Sequence, residues 1–562
     1  MTTPRRLSAR GSAAGVLVTI LLVLALLGIG AFLVLRDRKP GRGAEEARPP
    51  GSGQPAAPEG PAPQPIEPLA GPPALAAPAP YAPKGGLIEV DLSEYAGYGG
   101  LIVANGGLHP NPDSFFAKQY GFQVKLSVSE SETWSELNNG RFAASATTTD
   151  VLAVLGRRFE VTVPAQIGFS RGADMVVVDT GITSVNALRG KVLAGSQFNE
   201  SEFFIRYLAR EAGVPVRVLR DLDVQPGPDA LGLVFYEDAF QACDAYRHEL
   251  SGRRRLQGCV GWSPRTDEVI AASNGRAKPL VTNRNLLVVA DVLAVNAGFA
   301  KDHPDMVKGL VHGLLEGNRR LRDDPAAHLA TVAKAFGWTE AEAKEELAKV
   351  HLANLPESRA FFEGTIDAAG SFSGIFQSAV LAYGDVIKNP TDAARFHEPA
   401  PLAALAKAGL FADQKIAIAP IRTQAGAPLE GDPLLSRDIR FFFEPNSAVL
   451  DRKATQNLEY LDAVKQFLQV SPGSVVVLRG HVDNARVREF RAQGGEELVH
   501  AMGLKAMELS RQRAVSVREA LLERHAKVDP KRIETVGRGW EEPAGPESEK
   551  NRRVEVQWFT LE

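Results

Sequence analysis

Residues 173–213, ADMVVVDTGITSVNALRGKVLAGSQFNESEFFIRYLAREAG, decide the fold of this chain. Asp174–Val178 is a short β-branched run bounded by turn residues, the pattern of a strand buried on both faces. Leu188–Gly195 turns through Gly190 into a second such run. Glu200–Ala212 then places apolar residues at helical spacing behind Asn199, so a helix follows the strand. Short strands alternating with amphipathic helices build α/β folds with parallel sheets, whose ligands sit at the carboxyl ends of the strands.

The pattern extends in both directions. Upstream, Leu101-Ile102-Val103-Ala104-Asn105 and Val124–Val128 read as strands. Downstream, Val216–Leu222 and Gly258–Trp262 read as strands around a helix at Glu237–Leu250, and a long strand at Leu286–Val295 precedes a helix-rich stretch to about Leu405. Polar groups at strand ends and helix starts are the donors a cleft would use: Thr133 and Trp134, Thr148 and Thr149 within the run Thr147–Asp150, Asn199, Ser201 and Trp262. Asn199 and Ser201 open a helix, where free N–H groups and the dipole favour an anion. Ordinary N-capping explains them equally well, and Glu200 and Glu202 oppose an anion.

The chain has 562 residues, which at about 150 per domain implies several domains. Lys and Arg number 64 against 67 Asp and Glu, so no overall field draws the protein to nucleic acid, and none is expected as a partner. Two cysteines exclude a disulfide-framework scaffold and a four-Cys zinc site. Cys243 falls in the predicted helix and Cys259 in the next strand. A disulfide in an oxidising compartment and two buried thiols both fit them.

The N-terminus has a different character. Ser12–Leu35 carries no charge and spans about 36 Å as a helix, enough to cross a bilayer once. No small-residue cleavage site follows it, so residues 12–35 read as a retained transmembrane anchor. Basic residues flank both sides, so charge does not orient it. Residues 1–11 are placed in the cytoplasm because the downstream domains have an extracytoplasmic character. Residues 36–85 are rich in Pro, Ala and Gly without periodicity, a linker expected to be extended and solvated.

The middle of the chain resembles the type 2 periplasmic solute-binding proteins of the nitrate, sulfonate, taurine and thiamine-precursor group, the substrate-binding components of ABC transporters. The resemblance rests on Asn105-Gly106-Gly107, Leu137-Asn138-Asn139-Gly140-Arg141-Phe142, Ala173–Val178 followed by Leu188–Val192, and Val260-Gly261-Trp262-Ser263-Pro264. It implies a two-lobed domain over 86–415, with lobe two at about 186–285, two strand crossings and a ligand between the lobes. It adds Asn105 and Gly106 to the ligand candidates. A small solute, with an anion as one option, is the implied ligand, and an ABC permease a candidate partner.

The C-terminal region carries the most specific motifs: Phe443-x-x-Asn446-Ser447-x-x-Leu450, Gly480-His481-x-Asp483, Leu509-Ser510-x-x-Arg513-Ala514, Gly537-x-Gly539 and Asn551-Arg552-Arg553-Val554. Residues 430–562 resemble the smaller, α+β OmpA-like peptidoglycan-binding domain. Diaminopimelate in a stem peptide bears an ammonium and a carboxylate, and the resemblance assigns the matching acid and base to Asp483 and Arg513. A purely structural ion pair is the alternative. Ser510 is expected to cap a helix whose first turn holds Arg513. Val482 and Ala506 depart from the family pattern, and Ala485–Glu508 is longer than the usual loop. Asn551-Arg552-Arg553 opens the last strand as a structural element.

Gly168-Phe169-Ser170-Arg171-Gly172 matches the G-x-S-x-G pattern but precedes a strand instead of a helix, so it reads as a turn. No metal-ligand spacing, cofactor motif or catalytic constellation stands out, and no enzyme is expected. These readings combine into a single-pass inner-membrane protein of a Gram-negative cell envelope. Its periplasmic domains would capture or sense a solute and bind peptidoglycan. The alternative is a non-enzymatic structural envelope protein whose solute-binding-like domain serves protein–protein interaction.

Overall fold

The computed structural model describes residues 61–129, 131–366, 369–419, 433–443 and 447–559. The anchor expected at 12–35 lies outside them, and among the described residues no helix is long and apolar enough to cross a membrane.

Two six-stranded sheets build the middle of the chain. The first runs, edge to edge, Val350–Leu352 (β12), Val161–Ser170 (β4), Ala290–Asn296 (β11), Ala144–Thr148 (β3), Leu87–Leu92 (β1) and Gln123–Val128 (β2). The second runs Ala277–Thr282 (β10), Asp174–Asp179 (β5), Gly258–Trp262 (β9), Val192–Ser196 (β6), Leu231–Tyr236 (β8) and Val216–Val218 (β7). Helices cover both sheets, giving a two-lobed α/β domain. The lobes join twice, where β4 passes into β5 and where β10 passes into β11. Lobe two therefore begins at Asp174, earlier than 186, because β5 pairs with β9 and β10.

The sheets are mixed, against the expectation of parallel ones. β1, β2 and β3 run parallel, as do β6, β7, β8 and β9, while the strands next to the crossings enter from the opposite lobe and pair antiparallel. The segment Leu101–Asn105 is also corrected: it belongs to the helix Gly99–Asn105. A short, wholly apolar run fits a buried helix as well as a strand. Here Gly100 and Gly317 let two helices touch, since a Cβ on Gly317 would stand 1.8 Å from the Gly100 carbonyl oxygen.

The described part of the proline-rich segment forms no helix or strand but is not merely solvated. Ile66 N–H donates to Phe235 O at 2.9 Å, and Leu69 and Gln197 exchange bonds of 2.9 and 3.0 Å, all on lobe two. On lobe one, Ala76 N–H donates to Ser135 Oγ, Asn138 Nδ2 donates to Ala76 O, and Asn296 Nδ2 donates to Ala79 O. The segment is a strap laid across both lobes.

Cys243 and Cys259 form a disulfide, their Cα atoms 5.2 Å apart, between the helix Ala239–Ser251 and β9.

The C-terminal region is a four-stranded sheet, Leu435–Ile439 (β13), Val554–Phe559 (β16), Val475–Gly480 (β14) and Ile533–Gly537 (β15), covered by the helices Thr455–Val470 and Val487–Arg524. Val476, Leu478, Val556 and Trp558 face Leu461, Val464, Val517 and Leu521 in its core. Its motif glycines are packing residues: a Cβ on Gly480 would stand 2.0 Å from Ser510 O, and one on Gly537 2.6 Å from Met507 O. Only glycine lets this helix lie so close to the sheet. The domain leans on the lobes through Asn186, which bonds both ways with the Ser436 backbone, and through Leu287 N–H to Val470 O at 2.7 Å.

Candidate functional site

The carboxyl ends of parallel strands from both lobes converge on one cavity of about 60 Å³. Lobe one contributes Asp91 and Leu92 from β1 and Thr147 and Thr148 from β3, while lobe two contributes Ser196, Asp238 and Trp262 from or just after β6, β8 and β9. An adjoining recess of about 20 Å³ reaches the crossings and is lined by Tyr95, Tyr98, Ser170, Asp174 and Asp291. Outside lies a vestibule of about 500 Å³, lined by Phe240, Arg265 and Trp262 among others. The lobes are latched around it. Trp262 Nε1 donates to Glu94 O at 3.3 Å, and Lys349 Nζ lies 2.6 Å from both Asp267 on lobe two and Glu346 on lobe one.

Five of the nine sequence candidates line this cavity: Thr133, Trp134, Thr148, Asn199 and Trp262. Four do not. Asn105 closes the turn after its helix, with Nδ2 donating to Gly107 O and His109 O, and Gly106 is that helix's left-handed cap. Thr149 is fully buried and bonds Ala290 O, and Ser201 is buried in the first turn of the helix Glu200–Glu211. Ser170 ends β4, and the G-x-S-x-G sequence runs from that strand into the turn at residues 171–173 before β5, with no helix following.

The charge of the cleft does not favour an anion. Seven carboxylates line the cavity and recess, among them Asp91, Glu132, Asp174, Glu200 and Asp291, and no Lys, Arg or His is among their described lining residues. The helix start offers no free donors either. Asn199 Oδ1 accepts from Ser201 N–H and Glu202 N–H, and Glu202 accepts from Phe198 N–H at 2.6 Å while pairing with Arg206 at 2.7 Å.

Burial shapes these acids. Asp91 is pushed up by burial, although Ser129 Oγ and Thr133 Oγ1 donate to it at 2.7 and 2.6 Å. Burial lifts Asp174 to about 6 against a 2.8 Å bond from Asn283. Asp150, directly behind Thr148, rises to about 7 through burial, against the pull of the Thr148 hydroxyl and its own backbone N–H, with the fields of Asp174 and Glu202 adding to the rise. Asp291 rises well above the carboxylate range for the same first reason, with Tyr98 OH donating to it at 3.0 Å. Glu200 also rises, through burial and then its acidic neighbours. Glu132 keeps solvent access at the mouth, whereas Asp174 in the recess and Asp150 behind the cavity wall are buried.

Sequence reasoning passed over most of these acids. The readable signal was an acid inside an apolar strand: Asp91 in LIEVDL and Asp291 in ADVLAVN.

In the C-terminal domain, Asp483 follows β14 and its Oδ1 accepts from Ala485 N–H at 2.6 Å. Arg513 is half-buried over the Phe443 ring at 5.0 Å and donates to Ser447 O at 3.3 Å. Asp483 and Arg513 each lie three residues beyond the Gly480–Ser510 contact that joins their two segments. The helix does not begin at Ser510. Helix-forming residues carry it back to Val487 through a kink at Gly494–Gly495, so Ser510 and Arg513 lie inside it and no helix terminus supports Arg513. Ala485–Glu508 is accordingly mostly helix. Ser510 is a fastener, accepting from Gly539 N–H and donating to Met507 O. Burial first and the charge of Arg552 second lower the Arg513 guanidinium from its ordinary value, and it stays charged. Asn551 and Arg553 brace the last strand, the latter on Asp438 at 2.7 Å.

His481, Glu542 and Glu555 bring three ligand atoms within 4.8 Å of one another. Arg479 already stands among them, forked on Glu542 at 2.7 and 2.8 Å and 3.4 Å from Glu555. Burial raises Glu555, but His481, Gln557 and Arg479 outweigh it and hold the carboxyl at about 2.

Among proteins of curated function, none matches this sequence. Solved structures similar to the chain include the alkanesulfonate-binding protein of Xanthomonas axonopodis pv. citri bound to MOPS, at 14% identity and TM-score 0.42, covering 57% of this chain and 100% of that one. The periplasmic nitrate-binding protein of Synechocystis PCC 6803 is 13% identical with TM-score 0.42, over 58% and 90% of the two chains. A desulfurization enzyme is 15% identical with TM-score 0.38, over 57% and 99%. Residues 442–557 match the OmpA family. The C-terminal domain of this chain is an OmpA-family domain, fused behind a two-lobed α/β domain.

Proposed function

We propose that this chain is a cell-envelope binding protein: its C-terminal domain holds peptidoglycan, and its two lobes enclose a small solute. The observation that supports the reading most is the interlobe cavity, where strand ends from both lobes place polar groups around one enclosed space. The wall-binding half draws on the OmpA match, on Arg513 with Arg552, which suit a carboxylate, and on Asp483, which suits an ammonium. An anchor at residues 12–35 would tether the protein to the inner membrane, and a permease would be needed only if the solute is imported.

Cosedimentation with purified diaminopimelate-type sacculi tests the first half. Arg513→Ala or Asp483→Ala should cut retention at least about tenfold with circular dichroism unchanged. Unchanged retention defeats the assignment. Thermal-shift screening tests the second half, since a solute at 100 times its Kd stabilises its site by about 2.7 kcal/mol.

A further inference from the structure

We propose that the cleft takes an organic cation bearing N–H donors, an amine or guanidine compound, with its charged head in the inner cavity and its body along the vestibule. The inference rests on the reading of the cleft as a solute site.

Seven carboxylates line this space without a basic residue among the described lining, and three of them, Asp91, Asp174 and Asp291, are buried. Burying a carboxylate without a partner is costly, and proteins ordinarily supply an arginine, a lysine or a metal. Among the described lining residues none fills that role. A cationic ligand would.

A second, independent observation points the same way. The hydroxyls of Thr148, Ser170 and Tyr95 line the cavity and recess, are at least nine-tenths buried, and face acids or one another: Thr148 faces Asp150, and Ser170 faces Asp174 and Tyr95, so their lone pairs still lack a well-aligned donor. Natural structures rarely leave such groups unsatisfied unless a ligand or water completes them. Together with the oxygens of Asp91 and Glu200 they form a set of acceptors, which an ammonium or guanidinium satisfies with several N–H bonds and a sulfonate or nitrate does not.

The remaining walls suit the body of such a molecule. Tyr98, Trp134 and Trp262 stand on the cavity, and aromatic faces attract cations. In the vestibule, Phe240 and Trp262 lie 5.2 Å apart between ring centres. The vestibule's arginine, Arg265, is already engaged by Glu268 at 2.8 Å and lies 3.7 Å from Asp244, so it does not repel a cation strongly.

A bare metal ion fits less well. Among the described residues, the group offering three ligand atoms within 4.8 Å is His481, Glu542 and Glu555 in the other domain. The cleft acids are spread along the cavity, which suits a molecule with length.

The test uses the dialysed full chain, titrated calorimetrically with agmatine, putrescine and cadaverine, with ethanesulfonate as the anion and calcium chloride as the metal. At least one amine should bind, and the isosteric Asp91→Asn and Glu200→Gln variants should each raise its Kd about tenfold or more. Thermal unfolding of both variants close to that of the parent chain would show that the loss is not misfolding. Amine binding that both variants leave unchanged overturns the proposal, as does silence of all three amines. Binding of ethanesulfonate or calcium in place of the amines rejects the cation while sparing the solute reading. Silence of every probe, with no small molecule retained in native mass spectrometry of protein from its own cells, rejects both.

Discussion

The interlobe cleft and the C-terminal domain both draw carboxylates out of water, and they treat them in opposite ways. In the C-terminal domain, Glu542 and Glu555 meet Arg479 and His481, and Glu555 is held at about 2. In the cleft, Asp150 and Asp174 meet hydroxyls and an amide, and rise to about 7 and 6. A buried charge with its partner in the chain belongs to the structure, whereas one whose partner is missing from the chain marks a place for something else.

The contrast can be broken most severely at Arg479. Arg479→Ala removes the partner of the partly buried Glu555 and of the more exposed Glu542 and should lower the unfolding free energy of the C-terminal domain by about 1–3 kcal/mol, read from urea denaturation. A loss well under 1 kcal/mol would show that these pairs are incidental.

Asp150→Asn should have the opposite sign. The Asp150 carboxyl titrates higher in the folded chain than its ordinary 3.8, so its favourable contribution is complete below that value and disappears as pH rises through about 7. The parent chain without ligand should therefore lose stability between pH 4 and 7. Asp150→Asn should gain about 1–3 kcal/mol at pH 8 and nothing at pH 4. Glu555 works the other way. Its contribution is present above the ordinary carboxylate range and is lost as pH falls through about 2. Thermal melts across pH, following each domain, should separate the two trends, and a shared trend would erase the distinction.

The smallest effect is expected at the latch. Lys349 bridges the lobes through Asp267, whose side chain is 42% exposed, so Asp267→Asn, which leaves the buried Lys349–Glu346 pair in place, should change stability by only about 0.2–1 kcal/mol. Hydrogen exchange at the ends of β1 and β9 should quicken, and unchanged exchange would remove the Lys349–Asp267 pair from the closure.

Much of the fold was legible because periodicity reports burial. β2, β5 and β9 and the helix Glu200–Glu211 fall close to where their patterns place them. Leu101–Asn105 failed because seven small or apolar residues in a row carry no period, and only the helix holding Gly317 tells the chain which form to take. The cleft was half legible. Thr133, Thr148 and Trp262 sit at element ends, where sequence rules look, while Asp91 and Asp291 lie within strands whose direction, and so whose open end, is set by partners far along the chain. The Arg513 helix ran past its expected start because a loop and a helix of the same residues differ only in what they pack against.

The strap has a mechanical consequence. Two covalent crossings join the lobes, and the strap adds a third connection in parallel, made of hydrogen bonds at Ile66 and Leu69 on one lobe and from Ala76 to Tyr81 on the other. Chain order fixes which end feels force first. Any pull from upstream of residue 61 loads the bonds to Phe235 and Gln197 before those to Asn138 and Asn296, so the strap peels from lobe two and stays on lobe one. Opening of the hinge has to stretch or break these bonds as well as bend the two crossings.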